Sequence, residues 1–423
     1  MGLTAKKKIL VCAYACSPVQ GSEPGMGWSF VTELAKKYDV WVITEEEKFR
    51  ADIESQLRDK PSAANSVRFH YVRKVRARHL RKLWPPSYYW FYRHWHKKAY
   101  KLARQLHDEV GFDIVHQLNM VGFREPGYMW KLPLPFVWGP VGGMMQLPWK
   151  YFGMLGWHGM LFYGGRNLIN AIQQRYCRRC RLAGVKAGSG LMAATSEMRE
   201  KMRKFWGCES VLLSEIGRED SEKISVGFSR DAGEPLRIAW SGVHVPRKGL
   251  PLLLAALGEV ERKELFKLDV LGSGSESAKW RSFADSKQLT SIVEWHGWVD
   301  RADSVEVIRR SHVLVITSLL DLTSTVTLEA LSMGVPVICL DHCGMGEVVT
   351  DRCGIKLPVS NPTQTILDLS CALMTLHADE ALRQRLSEGA VERAAQFSWP
   401  IKSGVLEKVY SSVVQDFESR KRG

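Results

Sequence analysis

The same pattern of strand, loop and helix starts twice along this chain, and that restart is what most limits its fold. The first series opens at KKILVCAY, followed by the loop CSPVQGSEPGMG, the helix-like WSFVTELAKKY and a second strand, DVWVIT. GFDIVHQLNM, LPFVWGPVGG and GLMAATS (190–196) continue it as short apolar strands. After a polar stretch at 221–235 the series begins again with LRIAWSG, the helix GLPLLLAALGEV, FKLDVLGSGS, SIVEWHGWV, HVLVITS and VPVICLD. Apolar strands alternating with helices make parallel sheets covered on both faces. Two such series in 423 residues, too many for one ordinary core, predict two doubly wound α/β domains. Ligands of such folds sit at the carboxyl ends of the strands.

Charge divides the chain as well. Residues 1–214 hold 34 Lys and Arg against 16 Asp and Glu, a net of +18, whereas 215–423 hold 25 against 29, a net of −4. Eleven basic residues and no acid fall between Arg73 and Arg104, and no acid occurs from Pro126 to Ser196. Both regions are aromatic, in WPPSYYWFYRHW (84–95) and YFGMLGWHGMLFY (151–163). An anionic membrane surface selects this mixture: aromatic rings settle at headgroup depth, and each nearby cation adds about 1 kcal/mol. A solvated basic face over core aromatics is the plainer reading, and nucleic acid is not favoured because no recognised motif accompanies the charge. No run of 18 apolar residues is present, and the amino terminus reads as a first strand rather than a signal peptide. The nine cysteines, odd in number and scattered, suit a reducing compartment. Cys177 and Cys180 form a lone CxxC without the second pair a zinc site needs.

The chemistry gathers at strand exits. In DLTSTVTLE, Asp321 and Glu329 stand eight apart, between a strand ending near Leu319 and a helix expected from Thr327. A helix start suits a phosphate; Thr323, Ser324 and Thr325 add hydroxyl donors, and Glu329, in the first turn, can accept from ribose hydroxyls. An ordinary capped helix has the same appearance. In SGVHVPRKG, Arg247 and Lys248 lie between a strand and a helix, where adjacent cations can neutralise a diphosphate. EPGMGWSF and LGSGSES offer Gly25, Gly27, Gly272 and Gly274, but Phe30 and Ser277 stand where a dinucleotide fingerprint needs its third glycine. His116 ends a strand in DIVHQ and is a candidate catalytic group or a structural histidine.

Together these pieces resemble the retaining glycosyltransferases of family four, which have the GT-B fold. The family's E-x7-E signature is similar to D-LTSTVTL-E followed by ALSMGVPVI, with Asp321 where glutamate is usual. PRKG resembles its phosphate-gripping loop, although the preceding Gly242-Val243-His244 has valine where arginine is common. GSGS with EWHGWV, which ends in Trp298 and Val299, resembles the nucleotide-side segments. PGMGWSFVTEL resembles the first glycine loop and DIVHQ the strand bearing the family's histidine. FREP (123–126) and WGPVGG (138–143) resemble members that build bacterial surface polysaccharides, and FSW with Tyr410 resembles the terminal helix.

The resemblance implies GT-B architecture, two facing Rossmann-like domains with a deep cleft: 1–214 on the acceptor side, 215–395 binding the nucleotide sugar, and a returning helix over 396–423. It implies retaining sugar transfer from a nucleotide diphosphate sugar, UDP favoured over GDP, to a glycan or lipid-linked acceptor. The enzyme would be cytoplasmic, peripheral at the inner membrane face, with no cofactor and no metal. Arg247, Lys248, Asp321 and His116 would be catalytic, with Gly25, Gly27, Gly242, Gly272, Trp298, Val299, Thr323, Ser324, Thr325 and Glu329 binding substrate. Another enzyme of the same fold, such as a sugar-nucleotide epimerase, and an inactive membrane scaffold are the rivals.

Overall fold

A computed structural model describes residues 6–59, 67–75, 87–119, 122–218, 227–231 and 233–422. Parts of the basic run (76–86) and of the polar stretch (221–226 and 232) lie outside the described residues.

The first sheet contains β1 (Lys8–Ala13), β2 (Asp39–Glu45), β3 (Val67–Val72), β4 (Ile114–Asn119), β5 (Phe136–Val141), β6 (Leu191–Ala193) and β7 (Val211–Leu212). Its order is β3-β2-β1-β4-β5-β6-β7, and every neighbouring pair is parallel. The second contains β8 (Leu236–Ser241), β9 (Phe266–Leu271), β10 (Val293–Gly297), β11 (Val313–Ile316), β12 (Val337–Leu340) and β13 (Gly354–Leu357). Its order is β10-β9-β8-β11-β12-β13, again parallel throughout. Central strands are buried on both faces, which is why LVCA, VLVI and VICL read as unbroken apolar runs.

The chain forms two compact units. One comprises Met1–Met144, Ala171–Gly217 and Trp399–Gly423; the other comprises Met145–Asn170 and Arg218–Ser398. The division at Gly217/Arg218 lies three residues beyond the sequence-based boundary at 214/215. Residues 145–170, which the sequence reading left in the first domain, group with the second unit. They are held there by Tyr151 Oη, 2.6 Å from Thr365 Oγ1, and by His342 Nε2, 3.2 Å from the Gln146 carbonyl. In the first unit the terminal helix Trp399–Arg422 packs Trp399 edge-on against Phe30, and Lys402 donates to the Ser214 and Ile216 carbonyls. Cys177 and Cys180 form a disulfide, and the other seven cysteines are free thiols, six of them buried.

Candidate functional site

The strand order of the second sheet reverses between β8 and β11, so the loops leaving these strands part and open a crevice at their carboxyl ends. The β8 loop carries PRKG and the β11 loop carries DLTSTVTLE. Backbone bonds stitch the two together. Leu319 N–H donates to the Arg247 carbonyl at 2.8 Å. Trp240 Nε1 donates to Thr317 Oγ1 at 3.0 Å, and that hydroxyl donates to the Lys248 carbonyl at 2.8 Å. Gly249 permits the approach: its φ is +66°, and a Cβ there would overlap the Thr317 carbonyl.

This stitching brings Arg247, Lys248 and Asp321 together. Lys248 Nζ bonds Asp321 Oδ2; Arg247 Nη1 donates to the Leu320 carbonyl at 2.6 Å and lies 3.7 Å from Asp321 Oδ1. Burial pushes the Asp321 carboxyl up, but Lys248 and Arg247 beside it, with Leu322 N–H donating at 3.1 Å, more than offset this and hold it below the ordinary carboxylate value. The acid is therefore the counter-ion of two cations, and an incoming diphosphate would compete with it for both.

Three further loops lie side by side here. Gly242 N–H donates to the Leu271 carbonyl at 3.1 Å, and Gly272 N–H to the Gly297 carbonyl at 2.7 Å, which ties the exits of β8, β9 and β10. Gly272 has φ +109°, and any Cβ on it would overlap the Gly242 carbonyl. Gly272→Ala should lower stability by about 2–3 kcal/mol, measurable by urea unfolding. Val243 and Trp298 are exposed and Val299 is half-buried.

The helix Thr325–Ser332 begins two residues before the expected Thr327. Ser324 takes extended backbone and its carbonyl accepts from Thr327 N–H at 2.9 Å, so the helix starts within the hydroxyl-bearing segment, with no side-chain cap from Ser324. Thr325 is exposed, and Thr323 is buried against Gly344, where a Cβ would overlap its hydroxyl. The earlier start places Glu329 in the second turn. Its Oε1 accepts from Arg301 Nε at 3.1 Å, a partner the sequence reading did not select.

His116 requires a correction. It is fully buried in β4 of the first unit, with Nδ1 2.8 Å from Tyr410 Oη and Nε2 2.8 Å from the Gly139 carbonyl. Both nitrogens are occupied, and burial lowers its pKa to about 4. It therefore ties β4, β5 and the terminal helix. The strand runs on to Asn119, so His116 lies inside it and not at its end. Gly25 and Gly27 lie in the helix Ser22–Ala35 of the same unit; a Cβ on Gly27 would overlap the Ala15 carbonyl, so this glycine serves the packing of helix on β1 exit.

Tyr163 was missed. It comes from the helix Gly156–Tyr176, is 8% exposed, and sets its hydroxyl against the Arg247 backbone. Burial raises its pKa, with the Arg247 and Arg166 cations pulling the other way. Only the aromatic density of 151–163 hinted at it. Among the described residues, Asp269, Glu294 and His296 form a trio with ligand atoms within 4.8 Å of one another, on the neighbouring strands β9 and β10.

Residues 226–393 match the family model described as glycosyl transferases group 1, a span that contains every element of this cluster except Tyr163. Residues 226–393 are a glycosyl transferases group 1 domain. A D-inositol 3-phosphate glycosyltransferase of Streptomyces bingchenggensis is 25% identical over 257 residues, and the match spans 55% of each chain, about half the relative's length. Two solved structures share the fold over both units. The lipopolysaccharide outer core galactosyltransferase WaaB in its apo form has a TM-score of 0.62 and 15% identity, covering 96% of this chain and 99% of that one. HepE of Anabaena in complex with UDP has a TM-score of 0.57 and 14% identity, covering 96% and 100%. The fold is thus GT-B, with two parallel-sheet Rossmann-like halves. No helix among the described residues is long and apolar enough to cross a membrane.

Proposed function

We propose that this chain transfers a sugar from a nucleotide diphosphate sugar, UDP favoured, to a hydroxyl of a lipid-linked or surface-polysaccharide acceptor, with retained anomeric configuration. It would act in the cytoplasm at the inner face of the membrane. The observation that carries the reading is the Arg247–Lys248–Asp321 cluster at the switch point of a group 1 glycosyltransferase domain. In that reading the donor diphosphate takes the two cations and the amino terminus of the helix Thr325–Ser332. Fixed charges placed where the leaving group gains charge supply the largest catalytic contribution. Asp321 lies by the transferred sugar, Glu329 holds the ribose, and Gly242, Gly272, Trp298 and Val299 flank the nucleotide. The UDP complex of HepE supports the base, and the name of WaaB supports a surface-glycan acceptor.

A thermal-shift panel of UDP-, GDP- and ADP-sugars tests the donor, with UDP-sugars expected to give the largest shift. Failure to bind or hydrolyse any sugar nucleotide would leave the scaffold reading instead. Glu329→Ala should weaken UDP binding by about 10- to 150-fold in calorimetry, the loss of about 1.5–3 kcal/mol for hydrogen bonds to a charged group. Unchanged UDP affinity would remove Glu329 from the site.

A further inference from the structure

The helix Gly156–Tyr176 is turned inside out. Its buried positions Tyr163, Asn167, Asn170 and Gln174 follow one face, and three of them are amides. Asn167 exchanges bonds with the Leu147 backbone at 2.8 and 3.1 Å; Asn170 donates to the Met145 carbonyl at 3.1 Å and Gln174 to the Met144 carbonyl at 2.7 Å. Polar groups therefore fix the helix to backbone, and its apolar side chains point away. Trp157, Leu161, Leu168, Ile172 and Tyr176 run along the opposite face at helical spacing, each between 49% and 77% exposed. Phe162 and Ile169 widen the stripe. A water-facing helix has the reverse pattern, and an exposed apolar face of this length marks an interaction surface.

Charge decides what covers it. Exposed Lys150 precedes the helix; Arg175 near its end and Arg178 and Arg181 beyond it are exposed too. No carboxylate occurs anywhere from 126 to 196. Helices that lie in a lipid interface combine such an apolar stripe with flanking cations and lack acids, which the anionic headgroups repel.

We propose that this face seats the protein on an anionic bilayer, with Trp157, Leu161, Leu168 and Ile172 at the acyl boundary and Arg175, Arg178 and Arg181 among the lipid phosphates. The inference rests on the membrane location proposed above and assigns it a surface. That surface is distinct from the helix Ser87–Val110, where Tyr89 and Trp90 are also exposed.

Flotation of the full chain with vesicles of phosphatidylcholine, alone or with about a third phosphatidylglycerol, tests it. The wild type should float with the anionic vesicles, less so at high salt. The triple variant L161E/L168E/I172E should lose about 100-fold or more in partitioning, while W90E changes it little. Retained UDP binding by the triple variant establishes that it is folded; should it not be, W157S read in the same way takes its place. If W90E abolishes flotation and the helix variants float normally, membrane binding stands and this surface is wrong. If the wild type does not float at all, the membrane reading fails with it. If light scattering finds a dimer that L161E/L168E/I172E dissociates, and no vesicle binding, the face covers a second copy of the chain and the proposal is overturned.

Discussion

Lys248→Ala should lower sugar transfer by about 100- to 1000-fold while weakening donor binding far less. Its ammonium is fixed by the PRKG turn, nearly buried, and bonded to Asp321. A donor diphosphate already carries charge when it binds, but it gains more as the glycosidic bond breaks, so this cation should matter most in the transition state. Its removal has a second effect. In the proposed donor site, Asp321 would be left beside the phosphates with only the Arg247 cation, at 3.7 Å, to balance it. Asp321→Asn in the Lys248→Ala background should therefore recover part of the donor affinity, a coupling that a double-mutant cycle measures directly. Initial rates and calorimetry on the four proteins suffice. Normal turnover by Lys248→Ala would mean that the loop grips nothing, and that DLTSTVTLE is only the start of a helix.

The second large effect is in acid. His96 and His116 are both fully buried in the first unit, and burial lowers their pKa values to about 3 and about 4, with the Arg179 and Lys74 cations adding to the effect at His96. In the unfolded chain each would titrate near 6.5. The unfolded state therefore binds protons that the folded state refuses. Stability is full above about pH 6.5 and falls as the pH drops below it, until the folded pKa is reached. At pH 5 the loss is about 2 kcal/mol for each histidine. Urea unfolding followed between pH 7.5 and 5 should show the midpoint dropping steeply. His116→Gln, which keeps a donor and an acceptor, should flatten the dependence, and a profile already flat in the wild type would contradict the burial argument.

Much of this fold is legible because parallel strands buried on both faces leave unbroken apolar runs such as VLVI and VICL, with a glycine or a charge where each exits. The PRKG and DLTSTVTLE loops are legible as strand exits for the same reason, because the apolar runs of β8 and β11 stop just before them. His116 shows the limit. Three more strand residues, Gln117, Leu118 and Asn119, move it from the rim of the sheet to its interior, and the polarity of Gln117 and Asn119 hides that extension. The grouping of 145–170 with the second unit depends on contacts such as Tyr151 with Thr365, more than 200 residues apart, which no local pattern records. The approach of Tyr163 to Arg247 is also remote in sequence, and only the aromatic density of 151–163 hints at it. The inverted helix was half-visible, because the absence of acid and the aromatic density stand in the sequence, but which face is buried is decided by amides that look like surface residues.

Neither unit is a single stretch of chain, and this constrains how such a protein can be divided or recombined. A gene cut at Gly217 would yield a carboxyl-terminal fragment with the whole second sheet but without Tyr163, so the Arg247 backbone would lose the hydroxyl set against it. The same cut would strip the amino-terminal fragment of Tyr410 and leave the Nδ1 of His116 without its partner. Exchange of donor specificity between relatives by swapping halves at one junction would break both, so a working chimera must carry 145–170 with the second half and 399–423 with the first.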